Sequence, residues 1–530
     1  MGADKKFIQR VWSIALTLCF LLVIATTFLD YGITWDEPVQ ATYGELVYNY
    51  FQSGFSDTSS NSFLNTKYYG PLFELVSAAT YKVTAEYKFE IRHFVISLTA
   101  LLTIIGVMRF ARLFSDSIII FLAPLALLLM PRFYGHAFNN SKDIPFACAF
   151  VWAMYAITLY CHQQRLTWRH TVFSGLCIGT ALAIRPGGLL LFFYMAIIAA
   201  IFYLGNRNRL SGSKENLSLS VLELFKHIFI LVILAWLVMI APWPWAHENP
   251  FLNPVRAFLI QNSFHVAYPF LFEGGVVMSD QLPWYYLPKF ILITTPPFLL
   301  LLFLAGALGT IYEQYKDFHS SDSLLYFVVQ LWFFFPLAYI MIKTPNIYDG
   351  IRHFLFILPA MALMIAIGAS VLLKMASVLE KFFVYGFLLV AALFSIWELT
   401  VLHPYQMTYF NFMVGGLKKA WKSYETDYWT SSYKEAMEWI NERSHGSEKP
   451  IVVLVAANDF NRMCAEYYMA PNIKSRIFLG QASDAYLAPT YDYYISTTRY
   501  GMHRNFPNSP VVHTVGRDGA IFTVIKGRAI

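Results

Sequence analysis

The chain has 530 residues, of which 57% are hydrophobic and 18% aromatic but only 14% charged, and its mean hydropathy is +0.48. That composition excludes a soluble globular protein and a disordered one, and points to a polytopic membrane protein. The net charge of +6 is small for this length and much of it falls near loops, which does not suggest nucleic-acid binding, and the five cysteines offer no disulfide framework.

Lys5, Lys6 and Arg10 precede the first apolar run, near 11–29, as in a signal peptide. The run has membrane length and no A-x-A-like site follows, so a retained anchor is expected. Further runs long enough to cross about 30 Å of hydrocarbon fall near 91–108, 117–131, 144–160, 172–185, 187–204, 224–242, 290–311, 324–342, 353–373 and 382–402, giving eleven helices in all. With the N-terminus inside, the short connections become cytoplasmic, and most carry cations: Arg109, Arg112, Arg165, Arg169, Arg207, Arg209, Lys214, Lys374 and Lys381. The positive-inside rule supports this orientation. It depends on a break at 185–187, where Arg185, Pro186, Gly187 and Gly188 hardly make a loop. A single helix over 172–204 would invert every later assignment.

The opposite side carries the long loops 30–90, 132–143, 243–289 and 343–352, then a polar tail. Two amphipathic stretches in the first loop, Val39 to Phe51 and Pro71 to Tyr81, are expected at the interface. The 243–289 loop, with PWPWAHENP and LPWYYLPKF, has the composition of an aromatic belt. The expected division is a transmembrane domain over 1–402 and a small α/β domain over 403–530 on the outer side. In that tail, Tyr433 to Arg443 and Asn458 to Met469 read as helices, and Ile451 to Ala456, 491–497, 511–515 and 520–526 as strands. It contains no metal-ligand spacing, Gly-rich phosphate loop or nucleophile elbow.

The polar clusters all fall on the outer side. TWDEPVQATYGELVYNYF sets Asp36 beside Glu37 just outside the first span. A carboxylate near hydrocarbon needs a proton to take or a cation to bind, unless it simply caps a helix. MPRFYGHAFNNSKDIPFA supplies Arg132, His136, Asn139, Lys142 and Asp143, the last well placed to cap the next helix. NTKYYGPLFELV supplies Lys67 and Glu74, and Arg185 and Arg352 stand at outer helix ends, where snorkelling is the plain alternative. Carboxylates and cations on one membrane face suit transfer from a lipid-linked phosphate. A carboxylate takes the acceptor proton while the cations hold the departing phosphate. The rival is a transporter or flippase, which would show inverted repeats and charges in mid-membrane.

These segments, with YYGPLF, LPWYYLPKFILITTPP, IRHFLFILPA and HPYQMTYFNFMVGGLKKA running into DYWTSSYKEAMEWI, resemble the GT-C fold glycosyltransferases that use polyprenyl-phosphate sugars. The resemblance is to glycosyltransferase family 39, the dolichyl-phosphate-mannose protein mannosyltransferase-like group, and it spans most of the chain. It implies a catalytic base at Asp36 with Glu37 as its acidic neighbour, and donor binding at Asp143 and Arg352. Lys67, Arg132, Lys142 and Arg185 are further phosphate candidates. It leaves a divalent metal, Mg or Mn, as the cofactor to consider, with Asp36 and Asp143 as candidate ligands. The expected partners are a polyprenyl-phosphate-linked donor and a protein, lipid or glycan acceptor. Nothing in the tail resembles the sugar-binding β-trefoil of eukaryotic relatives, which argues for a bacterial type in an inner membrane.

Overall fold

The computed structural model describes residues 2–82, 85–162, 167–210, 221–262, 267–444, 449–472, 474, 477–481 and 491–528. Arg165 and Lys214, two of the expected inner-side cations, lie outside the described residues. In chain order the helices are α1 (Gly2–Thr27), α2 (Asp36–Gln52), α3 (Leu72–Tyr81), α4 (Lys88–Ala111), α5 (Ser117–Leu128), α6 (Pro131–Asn139) and α7 (Asp143–His162). There follow α8 (Trp168–Leu182), α9 (Leu190–Leu210), α10 (Val221–Ile240), α11 (Pro244–Glu248), α12 (Leu252–Asn262), α13 (Tyr286–Thr294) and α14 (Pro297–Lys316). The last are α15 (Ser321–Lys343), α16 (Leu358–Met375), α17 (Val378–Val401), α18 (Gly416–Ala420), α19 (Tyr433–Ser444) and α20 (Asp459–Tyr467).

Ten of the eleven apolar runs coincide with one helix each, and the run at 290–311 is divided at Thr295 and Pro296 between α13 and α14. Seven described helices are long and apolar enough to cross a membrane; α5 and α6 form a pair bent by 63°, and the apolar parts Pro186–Phe202 and Phe225–Ile240 are shorter. The chain is a multi-pass integral membrane protein. Arg185 is extended (φ −145°, ψ 140°) and Pro186–Leu189 form a 3-10 turn, so α8 and α9 are separate helices. Pro186 lacks an N–H and disfavours helical geometry in the residue before it, which makes the break.

The span around α16 is the centre of the bundle, 89% buried, whereas those of α1 and α17 are only 22% and 17% buried and face outward. α16 packs on α14 and α5, α7 on α4 and α8, and α8 on α10. The α14–α16 contact depends on backbone approach, because a methyl group at Gly306 would overlap the Met364 carbonyl, and one at Gly368 the Leu302 carbonyl. Small residues serve this purpose where lipid provides no hydrophobic drive between helices.

In the first long loop, both amphipathic stretches are helices, α2 and α3. The loop before α13 also holds a hairpin, β1 (Pro269–Phe272) with β2 (Gly275–Met278), which its aromatic composition does not single out. Residues 403–432 run back over the membrane helices: Asn411 Nδ2 donates to Leu292 O (2.7 Å) and Thr295 O (2.9 Å), and Tyr31 Oη donates to Gln406 Oε1 (3.0 Å). The α/β part follows, with β3 (Ile451–Val455), β4 (Ile477–Gln481), β5 (Tyr493–Thr497), β6 (Val511–Val515) and β7 (Thr523–Gly527) in the order β4-β3-β5-β7-β6. β3 is parallel to β4 and β5, and β7 is antiparallel to β5 and β6.

Gly368→Val is expected to destabilise the bundle by roughly 3 kcal/mol, the upper end of overpacking costs. Thermal unfolding in detergent checks this, and a wild-type melting curve would refute the close approach of α14 to α16.

Candidate active site

Asp36 and Glu37 open α2, where a helix N-terminus favours negative charge. The turn before them is fastened at two points. Trp35 N–H donates to Trp429 O (3.0 Å), and Asn139 Nδ2 donates to Gly32 O (3.1 Å). Successive helical residues diverge by about 100°, so the two carboxylates part. Glu37 turns inward and is 1% exposed, accepting from Thr34 N–H at 2.8 Å and lying 3.1 Å from His93 Nε2. Asp36 turns outward toward Arg352, with Oδ2 3.4 Å from Arg352 Nη1.

Asp143 opens α7 and is fixed by Asn140, whose Oδ1 accepts from Asp143 N–H (2.8 Å) while its Nδ2 donates to Asp143 Oδ2 (3.0 Å). The capping expected of this carboxylate is done instead by Asn140, and Asp143 pairs with Arg185 Nη2 at 2.6 Å and stands 3.9 Å from Arg352 Nη1. Arg185 arrives there from the break between α8 and α9. That break is seated on the first loop, where Leu72 N–H donates to Ala183 O (3.1 Å).

Arg352 begins a 3-10 turn (Arg352–Ile357) leading into α16. Its guanidinium lies between the rings of Tyr348 (5.0 Å) and Trp429 (4.9 Å), and its Nε is 3.1 Å from Asp349 Oδ2. The other Asp349 oxygen meets Arg499 Nη1 at 3.0 Å, and Arg499 also donates to Tyr428 O (2.8 Å). Burial alone would make the Arg499 guanidinium less basic, but Asp349 and the neighbouring Tyr500 and Glu425 outweigh it and its pKa is raised. Burial pushes the phenols of Tyr348 and Tyr268 up, so both stay neutral donors.

Above this network opens a cavity of ≈290 Å³ whose charged lining is Asp36, Lys142, Arg185, Arg352 and Arg499, with Trp35, Tyr68, Tyr69, Tyr268, Tyr348 and Tyr500 among its other walls. Lys142 Nζ lies over the Tyr69 ring at 5.2 Å and forms no ion pair among the described residues. A second cavity of ≈270 Å³ is lined by apolar side chains including Leu189, Trp236, Val255 and Phe258. The two are neighbours. Arg185 and Ile260 line the first, Pro186 and Phe258 the second.

Of the sequence-predicted residues, Asp36, Lys142, Arg185 and Arg352 line one cavity, and Asp143 braces two of them from beneath. Three are not brought in. Glu37, expected to share the catalytic part, is buried outside the cavity lining and held by Thr34 and His93. Lys67 lies outside the lining, over the rings of Tyr68 (5.5 Å) and Trp245 (5.8 Å). Arg132 is 2% exposed beneath the site, over the Phe410 ring at 5.0 Å and donating to Tyr409 O at 3.3 Å. Asp349 and Arg499 escape sequence reasoning. Asp349-Gly350 reads as a turn dipeptide, and nothing in TTRYG beyond β5 marks Arg499 for a site in the membrane domain.

As a divalent-metal site the arrangement fits poorly. A fixed guanidinium, Arg352, stands between the candidate ligands Asp36 and Asp143. Among the described residues no group of three His, Cys, Asp or Glu side chains is placed to hold an ion.

A bundle of this kind, with its charged cavity beneath long loops and a helix-and-sheet domain, has the architecture of the GT-C glycosyltransferases. Residues 69–245 match the family model described as dolichyl-phosphate-mannose-protein mannosyltransferase. Across its length the chain is similar in structure to ArnT from Cupriavidus metallidurans in the apo state, with a TM-score of 0.53, 12% identity and 97% of each chain covered. The same enzyme bound to undecaprenyl phosphate gives a TM-score of 0.50 at 14% identity, again over 97% of each chain. The apo oligosaccharyltransferase of Archaeoglobus fulgidus matches with a TM-score of 0.46 and 13% identity, over 92% of this chain and 69% of that one. At these identities the likeness to ArnT establishes the fold. No curated protein matches the chain by sequence.

Asp349→Asn leaves two buried guanidiniums short of a counter-charge, and is expected to cost about 3–5 kcal/mol in unfolding experiments. Glu37→Gln keeps a side chain of the same shape within reach of Thr34 and His93. It is expected to retain transfer activity under conditions where Asp36→Asn loses it, and equal losses in an assay of the two variants would return Glu37 to the catalytic pair.

Proposed function

We propose that the protein is an inverting glycosyltransferase that moves a sugar, a hexose or pentose such as mannose, from a polyprenyl-phosphate carrier to an acceptor hydroxyl at the outer, periplasmic face of a bacterial inner membrane. The observation that carries this reading is the lining of the charged cavity. Among the described residues Asp36 is the one carboxylate that lines it, beside Lys142, Arg185, Arg352 and Arg499. The donor phosphate fits against Lys142 and Arg185, and the first isoprene units fit the adjoining apolar cavity, whose Trp236, Val255 and Phe258 need no polar partner.

In the reaction, Asp36 takes the proton of the acceptor hydroxyl as its oxygen bonds to the anomeric carbon. The bond from that carbon to the phosphate oxygen breaks, and the electron pair leaves with the polyprenyl phosphate. The departing phosphate gains a negative charge, which the fixed cations stabilise without reorganising. A double displacement would need a second carboxylate on the donor's other side. Asp143 is held under the site by Arg185 and Asn140, so one displacement with inversion is the outcome. The acceptor is a protein, lipid or envelope-glycan hydroxyl.

The transporter reading is not favoured. Its expected mid-membrane charges are replaced by a cluster at the helix ends, and the whole chain has a glycosyltransferase fold.

The test is transfer by purified protein from a panel of radiolabelled polyprenyl-phosphate sugars into membrane extracts. Asp36→Asn is expected to lower the rate about 10²–10⁴-fold, the range for a lost general base. Product NMR is expected to show inverted anomeric configuration; retention would contradict the single-displacement mechanism. Because Arg352 stands where a cation would sit, EDTA is expected to leave the rate unchanged, and rescue of an EDTA-treated sample by Mg or Mn would show that a metal takes part.

A further inference from the structure

A third cavity, of ≈260 Å³, lies at the C-terminal end of α17, walled by Phe394, Trp397, Leu402, Phe410, Phe412 and Leu417. Its rim is open to lipid, since Trp397 is 56% and Phe412 70% exposed. Into this apolar pocket the chain places three polar groups: Glu398, Tyr409 and Asp518.

Asp518 is exposed, but the other two are out of balance. Glu398 belongs to the last turn of α17, where the helix's own carbonyls already make the field negative. It forms no ion pair or side-chain hydrogen bond among the described residues, and the charged group that acts on it is Asp518, another carboxylate. A lone carboxylate at the edge of hydrocarbon requires a cation or a proton. Tyr409 is 1% exposed, and its buried hydroxyl has no hydrogen-bond partner. An orphaned buried hydroxyl loses its hydration without replacement, so a ligand atom belongs there.

We propose that this cavity binds a phospholipid bearing a primary ammonium, of the phosphatidylethanolamine type. The ammonium lies against Glu398 and Asp518, a lipid phosphate or ester oxygen accepts from Tyr409 Oη, and an acyl chain follows the apolar wall beside Trp397 toward the exposed face of α17. An ammonium supplies both the charge and the N–H donors that two carboxylates need. An anionic head group would meet two like charges, and a quaternary ammonium brings no donor. The site is separate from the Asp36 cavity, so it stands or falls independently of the glycosyltransferase reading.

The experiment reconstitutes the full chain in nanodiscs of equimolar phosphatidylethanolamine, phosphatidylcholine and phosphatidylglycerol, exchanges it into detergent and quantifies the retained lipids by mass spectrometry. Wild type is expected to retain phosphatidylethanolamine about tenfold over the other two, the scale of one charge-assisted contact. Glu398→Gln is expected to abolish the preference, and Tyr409→Phe to lower retention of all three lipids. Progressive N-methylation of the head group, tested on wild type alone, is expected to weaken retention stepwise, and that arm requires no variant to fold. Equal retention of all three lipids by wild type would overturn the proposal. So would an unchanged preference in Glu398→Gln, which would show that Glu398 is simply protonated.

Discussion

The site depends on one buried cation. Arg352 is 3% exposed, and a guanidinium withdrawn from water at the head of α16 is stable only if the protein surrounds it with counter-charge and hydrogen-bond acceptors. Those groups come from separate parts of the chain: Asp36 from the first loop, Asp143 from the start of α7, Asp349 from the loop before α16, and the ring of Trp429 from the segment after α17. The need to satisfy Arg352 therefore fixes the relative position of elements hundreds of residues apart in sequence. Arg499 extends the same constraint into the α/β part, through the second oxygen of Asp349. The sheet is thereby tied to the charged cavity rather than hung from the end of the bundle.

The charges explain why this network suits a phosphate. Asp36, Asp143 and Asp349 are met by Arg185, Arg352 and Arg499, three carboxylates against three guanidiniums, and Lys142 is left over at the cavity wall. One surplus positive charge matches the single negative charge of a sugar phosphodiester. The second charge, which appears only as the bond to the sugar breaks, draws on guanidiniums already oriented by their carboxylates, so stabilisation grows toward the transition state. In the proposed reaction the proton taken by Asp36 has the same sense: as the carboxylate is neutralised, Arg352 loses one partner and its field is released toward the leaving phosphate.

Much of the fold was legible because a membrane leaves the chain few options. Backbone polar groups must be satisfied within each span, so apolar length alone locates helices, and Pro186 marks the break that sets their order. In the tail, the helix at Tyr433 and the strands at Ile451, Tyr493, Val511 and Thr523 follow from periodicity, whereas β4 (IFLGQ) is a short edge strand without alternation. The site was legible only in part. Asp36, Lys142 and Arg352 stand in segments with recognisable character, but the Asp349–Arg499 pair joins residues 150 apart in sequence (349 and 499), and no local pattern records such a contact. Lys67 and Arg132 show the converse: each stands in the right segment, but its side chain is taken up by aromatic rings instead of the cavity.

The adjacent acids of the first loop show how local geometry divides what sequence presents as a pair. Both gain from the N-terminus of α2, so helix electrostatics alone cannot tell them apart. Position on the helix does. Glu37 faces the core, where Thr34 and His93 satisfy it and where no substrate reaches. Asp36, one residue earlier, is 17% exposed and is held by a single long contact of 3.4 Å to Arg352. A base must keep an oxygen free to receive a proton where the acceptor can reach it. The outward carboxylate lines the cavity and the inward one does not, so the proposed base is Asp36, while Glu37 fastens the turn that aims it.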